Sequence, residues 1–307
     1  MKKILSLLLL ISILSSFIIA CEKDESLDYT LKFGTLPAES AIPIIIAKEK
    51  GFYEKEGLSV EIVPFNSPND RNVAVQAKKI DAIIGDVMTS LTFHKADFDM
   101  KITSDINEDF KLLTSPNSSI TSIEDLNNKD VSLVPNFVLE YIMDKIAQEN
   151  NIEYNLVSIP SFTARFEALL ADEIDGVIFT EPQATLLDSK GANIIASSRD
   201  YGIKAGTLLF NGETLDTHPA EIKAFYRAYN NAVDYINDTD PTEYSKVLNE
   251  YGFPPAIEDY LKSEPTYTKA QEISNETFKD VLDWTQSKNL INKEYKLEDI
   301  SDFSFIE

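Results

Sequence analysis

"KKIDAIIGDVMTSL" occupies Lys78 to Leu91, and "DEIDGVIFTEPQATLL" occupies Asp172 to Leu187. In both, Ile-Asp leads into a short apolar run that stops at a polar residue and passes into a helical pattern. Parallel strands buried on both faces read as such continuous runs, and "AII" and "GVIF" fit that description. A single parallel sheet can produce the phrase twice, so the elements around each copy decide between one sheet and two. Ahead of the first copy stand a strand, "LKFGTL" (31–36), and a helix in "SAIPIIIAKEKGFYEKEG" that ends near Gly51 with a second turn to Gly57. Next come a strand, "LSVEIVPF", alternating at Leu58, Val60, Ile62 and Phe65, and a short helix, "DRNVAVQAKK"; the helix "VMTSLTFHKA" follows the copy. Ahead of the second copy comes "SITSIEDLNNKD", where Thr121 and Glu124 have capping-box spacing. Strand "VSLV", helix "FVLEYIMDKIAQEN", strand "YNLVSIP" and helix "TARFEALLAD" precede that copy, and helix "EPQATLLDSKG" follows it. The order of elements repeats, which predicts two α/β lobes with the doubled phrase as the third strand of each.

After "GANIIAS", the stretch "AGTLLF" (205–210) reads as one more strand and the remainder as mostly helical. Ile222, Phe225, Tyr226, Tyr229, Val233 and Ile236 form one stripe at helical spacing, which reads as core. The later helices have no sheet of their own and are expected on the first lobe. The chain then crosses between lobes near Ser115 to Asn117 and again near Tyr201 to Ala205, a two-stranded hinge. The predicted division is 29–115 plus 205–307 for the first lobe and 116–204 for the second.

"MKKILSLLLLISILSSFIIAC" opens with two lysines, runs apolar, and ends with a small residue before cysteine. Residues 1–20 read as an export signal. The Ala20-Cys21 junction resembles the lipobox of bacterial lipoproteins, which implies a lipidated Cys21, a polar tether over 21–28, and a chain anchored at a bacterial membrane. Cys21 is the single cysteine, so an internal disulfide, a resolving thiol pair and a cysteine metal cluster are all excluded. With 51 acidic against 28 basic residues the net charge is −23, which argues against nucleic acid as a partner and for a soluble monomer. Screening over about 8 Å separates that outer field from the chemistry of a cleft, so the acidity does not dictate a cationic ligand. His94 and His218 stand alone, with His94 beside Lys95 expected at the surface. No G-x-S-x-G, P-loop or metal-ligand spacing is present, and no cofactor, metal or catalytic residue is expected.

"FGTLPAESAIPIIIAKEKGFYEKEGLSVEIVPF" followed by "AKKIDAIIGD" resembles the opening of solute-binding proteins of the NMT1/THI5-like group. "IEDLNNKDVSLVPNFVLEYIMDKI", "ARFEALLADEIDGVIFTEP" and "GANIIAS" continue the likeness in order, as far as about Phe210. The resemblance implies the type II periplasmic-binding-protein fold: two doubly wound, mainly parallel sheets on a two-stranded hinge, closing over a small solute. It further implies an ABC importer, with the transporter permease as partner, and a ligand among thiamine-pyrimidine precursors, sulfonates, taurine or nitrate. Pyrimidine synthases of thiamine biosynthesis share the fold but carry a cysteine-rich motif that this chain lacks, so a binding protein is expected rather than an enzyme.

In open parallel sheets ligands sit beyond the carboxyl ends of the strands, against helix N-termini. That rule nominates Thr35, Ser40, Phe65, Asn66 and Asp86 from the first lobe, and Asn136, Phe137, Arg165, Thr180 and Glu181 from the second. Asp86 and Glu181 end the duplicated strands; either both cap helices or both accept hydrogen bonds from ligand N–H groups, as an aminopyrimidine would offer. Phe65 and Phe137 either stack on a flat ring or cover their own cores. Arg165 is either a helix-surface charge or the partner of a carboxylate, phosphate or sulfonate.

Overall fold

The computed structural model describes residues 29–263 and 267–306; the export segment, Cys21 and the tether lie outside the described residues. The first half contains β1 (Thr30–Thr35), α1 (Ile42–Glu49), α2 (Phe52–Lys55), β2 (Ser59–Pro64), α3 (Pro68–Gln76), β3 (Ala82–Asp86), α4 (Val87–Lys95) and β4 (Met100–Asp105). There follow β5 (Phe110–Thr114), β6 (Lys129–Leu133), α5 (Val138–Asn150), β7 (Tyr154–Ser158), α6 (Phe162–Leu170), β8 (Gly176–Thr180), α7 (Gln183–Ser189) and β9 (Asn193–Ser197). The rest comprises β10 (Gly206–Asn211), α8 (Gly212–Thr217), α9 (Pro219–Asp238), α10 (Ile257–Ser263), α11 (Asn275–Ser287) and α12 (Leu297–Ile300).

The strands form two five-stranded sheets of one design, ordered β2-β1-β3-β10-β4 and β7-β6-β8-β5-β9. In each, the first three strands are parallel and the fourth is antiparallel to both neighbours. The antiparallel strand comes from the far side of a crossing: β5 follows β4 into the second sheet, and β10 follows β9 back into the first. This is the mainly parallel two-lobed fold expected. The first crossing, however, is Ile106–Asp109 and not Ser115 to Asn117, because Phe110–Thr114 already belongs to the second sheet. The lobe boundary therefore moves forward, and the second crossing spans Ser198–Ala205.

Two local expectations also change. Thr121 and Glu124 form no capping box; Glu124–Leu126 is a single 3-10 turn, and the Asp125 carboxylate accepts the N–H groups of Thr121 and Ser122 at 3.2 and 3.1 Å. His94 is not at the surface: its side chain is only 14% exposed, and its Nε2 lies 3.5 Å from Asp99.

Ile42 to Ala47 of α1 are buried all round, so α1 is a core helix, and the left-handed Gly51 (φ 68°) turns the chain into α2. The α9 stripe lies in the same core. Phe225 stacks on Phe33 at 5.3 Å and on Tyr53 at 5.5 Å. A second apolar cluster runs from Met88 and Leu91 of α4 through Phe278 and Trp284 of α11 to Tyr141 and Ile142 of α5 and Ile178 of β8. So α11 packs on the first lobe, as expected of the C-terminal helices, and on the second as well. Among the described residues, no helix is long and apolar enough to cross a membrane.

Candidate functional site

The two sheets point the carboxyl ends of β1, β3, β6, β7 and β8 into one interlobe space, which narrows to a cavity of about 80 Å³. Leu36, Ile84 and Ile106 line it from the first lobe and hinge; Val134, Phe137, Leu139 and Phe162 line it from the second. The polar lining consists of Ser40, Arg71, Asp86, Glu108, Arg165 and Thr180. Ligand pockets usually hold about 300 Å³ or more. At about 80 Å³ the cavity is smaller than that.

Asp86 ends β3 and caps α4. Its Oδ1 accepts the Thr89 N–H at 2.7 Å, and its Oδ2 accepts the Val138 N–H of α5, across the cleft, at 3.3 Å. Burial raises its carboxyl above the ordinary range, against the opposing pull of these donors and of nearby Arg71. Arg71 is buried on α3. Its Nη1 donates to the Ile84 carbonyl, and its Nε and Nη2 donate to Asn72 Oδ1 at 3.1 and 2.9 Å.

Glu108 sits in the first crossing and fastens it to the second: Ala205 N–H donates to Oε1 at 2.7 Å, and Gly206 N–H donates to Oε2 at 3.0 Å. Burial pushes this carboxyl up to about 7, although these donors and Lys204 work in the other direction. A Cβ at Gly206 would fall 2.1 Å from Glu108 Oε2 and 2.4 Å from Ile106 Cδ1, so any side chain there must displace Glu108 and Ile106.

Arg165 on α6 has no exposed surface, which removes the helix-surface reading. Its Nη1 donates to the Ile159 carbonyl at 2.8 Å, and its guanidinium lies over the rings of Phe179 at 4.6 Å and Phe162 at 5.2 Å. Among the described residues its Nε and Nη2 have no hydrogen-bond partner, and burial alone lowers its pKa to about 10. A buried donor without a partner costs about 1–3 kcal/mol, and more when charged. The lining carboxylates already accept backbone N–H groups, and Arg165 adds two buried N–H donors that are unpartnered among the described residues.

Of the ten residues nominated from sequence, Ser40, Asp86, Phe137, Arg165 and Thr180 line the cavity. Thr35 is buried at the end of β1, where its carbonyl accepts the Phe65 N–H at 2.9 Å. Phe65 covers its own core, and Asn66 is exposed. Asn136 is an exposed turn residue at φ 68° whose N–H donates to Glu140 at 2.6 Å. Glu181 is turned away: its carboxylate accepts the Thr185 N–H at 2.9 Å, while its carbonyl accepts the Glu39 N–H across the cleft at 2.9 Å. Of the two readings of Asp86 and Glu181, the helix reading describes both carboxylates, each of which accepts a helix N–H, and only Asp86 also lines the cavity, beside Glu108. Arg71 and Glu108 went unnominated. Arg71 follows a strand end within "FNSPNDR", which is a signal of the same kind, whereas Glu108 has no local signal because its place depends on where the chain crosses between lobes.

The sequence profile of the family described as NMT1/THI5 like matches residues 39–243. Over 231 residues the chain is 26% identical to the 4-amino-5-hydroxymethyl-2-methylpyrimidine phosphate synthase of Schizosaccharomyces pombe, covering 69% of this chain and 67% of that one. Its fold superposes on the alkanesulfonate-binding protein SsuA of Xanthomonas axonopodis pv. citri, solved with MOPS bound, at TM-score 0.77 and 17% identity over 89% of this chain and 98% of that one. The periplasmic nitrate-binding protein NrtA of Synechocystis PCC 6803 superposes at TM-score 0.75 and 16% identity, over 90% and 86% of the two chains.

Proposed function

This chain belongs to the NMT1/THI5-like family, and on that premise we propose that it is the solute-binding component of an ABC importer, closing two lobes over a small organic solute that it delivers to a permease. The observation that carries this reading is the cavity itself: residues of both lobes and of the first crossing line it, so it can exist only when the lobes meet. The solute we propose is a compact molecule with an oxyanion. Its oxygen would take the unpartnered N–H groups of Arg165, and its body would lie against Phe137 and Phe162. An aminopyrimidine would draw on acceptors from both Asp86 and Glu181; because Glu181 does not line the cavity, we favour the oxyanion. Anchoring through Cys21 belongs to the same proposal and is tested by whether Cys21→Ser frees the chain from membranes.

Native mass spectrometry of the purified protein, before and after mild unfolding and refolding, tests the reading. A discrete mass lost on refolding supports capture, and its chemistry tests the anion. Thermal shifts with ethanesulfonate, taurine, nitrate and aminopyrimidines provide the second arm, since a ligand at a hundred times its Kd stabilises by about 2.7 kcal/mol. Arg165→Gln is expected to abolish the shift with sulfonates. A shift with aminopyrimidines alone would overturn the anion and keep the receptor. The synthase relative keeps an enzyme as the second reading; turnover of a bound solute that is lost in Asp86→Asn would favour it.

A further inference from the structure

Helix α11 rides on the first lobe, packed against α4, while its other side meets α5 of the second lobe. Seven polar side chains tie the two helices together in five contacts. Asp280 accepts from Tyr141 Oη and from Lys145 Nζ, each at 2.5 Å. Trp284 Nε1 donates to Asp144 at 2.9 Å, and Lys288 Nζ reaches Glu140 and Asp144, each at 2.7 Å. Between these ties the rings of Tyr141 and Trp284 meet edge to face at 5.5 Å and 75°, both nearly out of solvent.

None of these side chains lines the interlobe cavity, so the contact needs no solute. It is nevertheless coupled to the cleft. Val138, whose N–H donates to Asp86, stands one turn before Tyr141 on the same helix. Any opening that draws α5 from Asp86 pulls on α11 too. The strength of the contact suits release: Lys145, Asp280, Lys288 and Asp144 all keep part of their surface in water, and ion pairs of that kind each contribute little. An open groove of about 870 Å³ between α5, α11 and residues Tyr201 to Lys204 brings solvent to the edge of the contact. We propose that α11 is a clasp that holds the lobes closed in the solute-free protein, and that solute exchange requires its release.

Trp284 is the single tryptophan, so its emission reads the contact directly. The purified protein, stripped of small molecules by refolding, is compared with Asp280→Ala/Lys288→Ala by scattering, Trp284 emission and hydrogen exchange. The clasp predicts a compact wild type with blue-shifted Trp284. In the double variant it predicts a larger radius of gyration, red-shifted emission and about fivefold faster exchange at the Val138 amide, with an unchanged far-UV spectrum. The charge swap Lys145→Asp/Asp280→Lys is expected to keep the wild-type values, because the tie is re-formed in reverse. An extended wild type, or a double variant that leaves Val138 exchange and Trp284 emission unchanged, overturns the proposal.

Discussion

Glu108 fastens one crossing to the other, so its protonation bears on more than its own side chain. The folded protein holds its proton up to about pH 7, against an ordinary value of 4.5. Stability therefore falls as pH rises through that window and levels off above it, by roughly 3 kcal/mol for this group alone. Glu39, buried and raised to about 8, adds to the same slope. Glu108→Gln is expected to reduce the slope between pH 5 and 7 by about half in urea titrations at fixed pH steps, leaving the share of Glu39; an undiminished slope would mean the proton sits elsewhere. At Gly206 the prediction is steric. Gly206→Ala should cost about 1–3 kcal/mol by the same titration, because the new methyl overlaps Glu108 and Ile106. At this scale the sequence was legible where chemistry follows a strand end: Asp86, Thr180 and Arg165 were all nominated on that ground and all line the cavity. It was not legible for Glu108, whose place depends on where the chain changes lobes, nor for Glu181, whose side chain could turn either way from the same backbone.

Among the elements, α9 shows how much a pattern can establish. Every residue of its predicted stripe is buried, and Phe225 at its centre touches Phe33, Tyr53 and Phe210. Phe225→Ala is expected to cost about 3–5 kcal/mol in unfolding free energy. Because Phe225 lies away from the cavity, solute affinity in the same variant should stay at the wild-type value. The third strands were legible for a similar reason: β3 and β8 are buried along their whole length and so read as apolar runs. β4 and β5 were not. "MKITSD" and "FKLLT" each carry a lysine at the second position, and both strands are set by partners remote in sequence, β4 by β10 alone in its sheet and β5 by β8 and β9. A strand of five or six residues whose partners lie far along the chain leaves little local trace.

For the whole molecule, the apolar cluster that passes from α4 through α11 to α5 and into the second sheet joins what the topology divides. The expected outcome is one cooperative transition in urea, with Trp284 emission and far-UV dichroism coincident; two separated transitions would show lobes that stand independently. The join was invisible in the sequence because it depends on how the lobes sit on one another, whereas the repeated order of elements was plain within each. The exchange of strands between the sheets also carries a consequence for the order of synthesis. β10 lies between β3 and β4, in the interior of the first sheet, while every strand of the second sheet has been made once Ser197 is reached. A nascent chain halted there holds a finished second sheet and a first sheet with a gap, so the half that is translated first is the half that folds last.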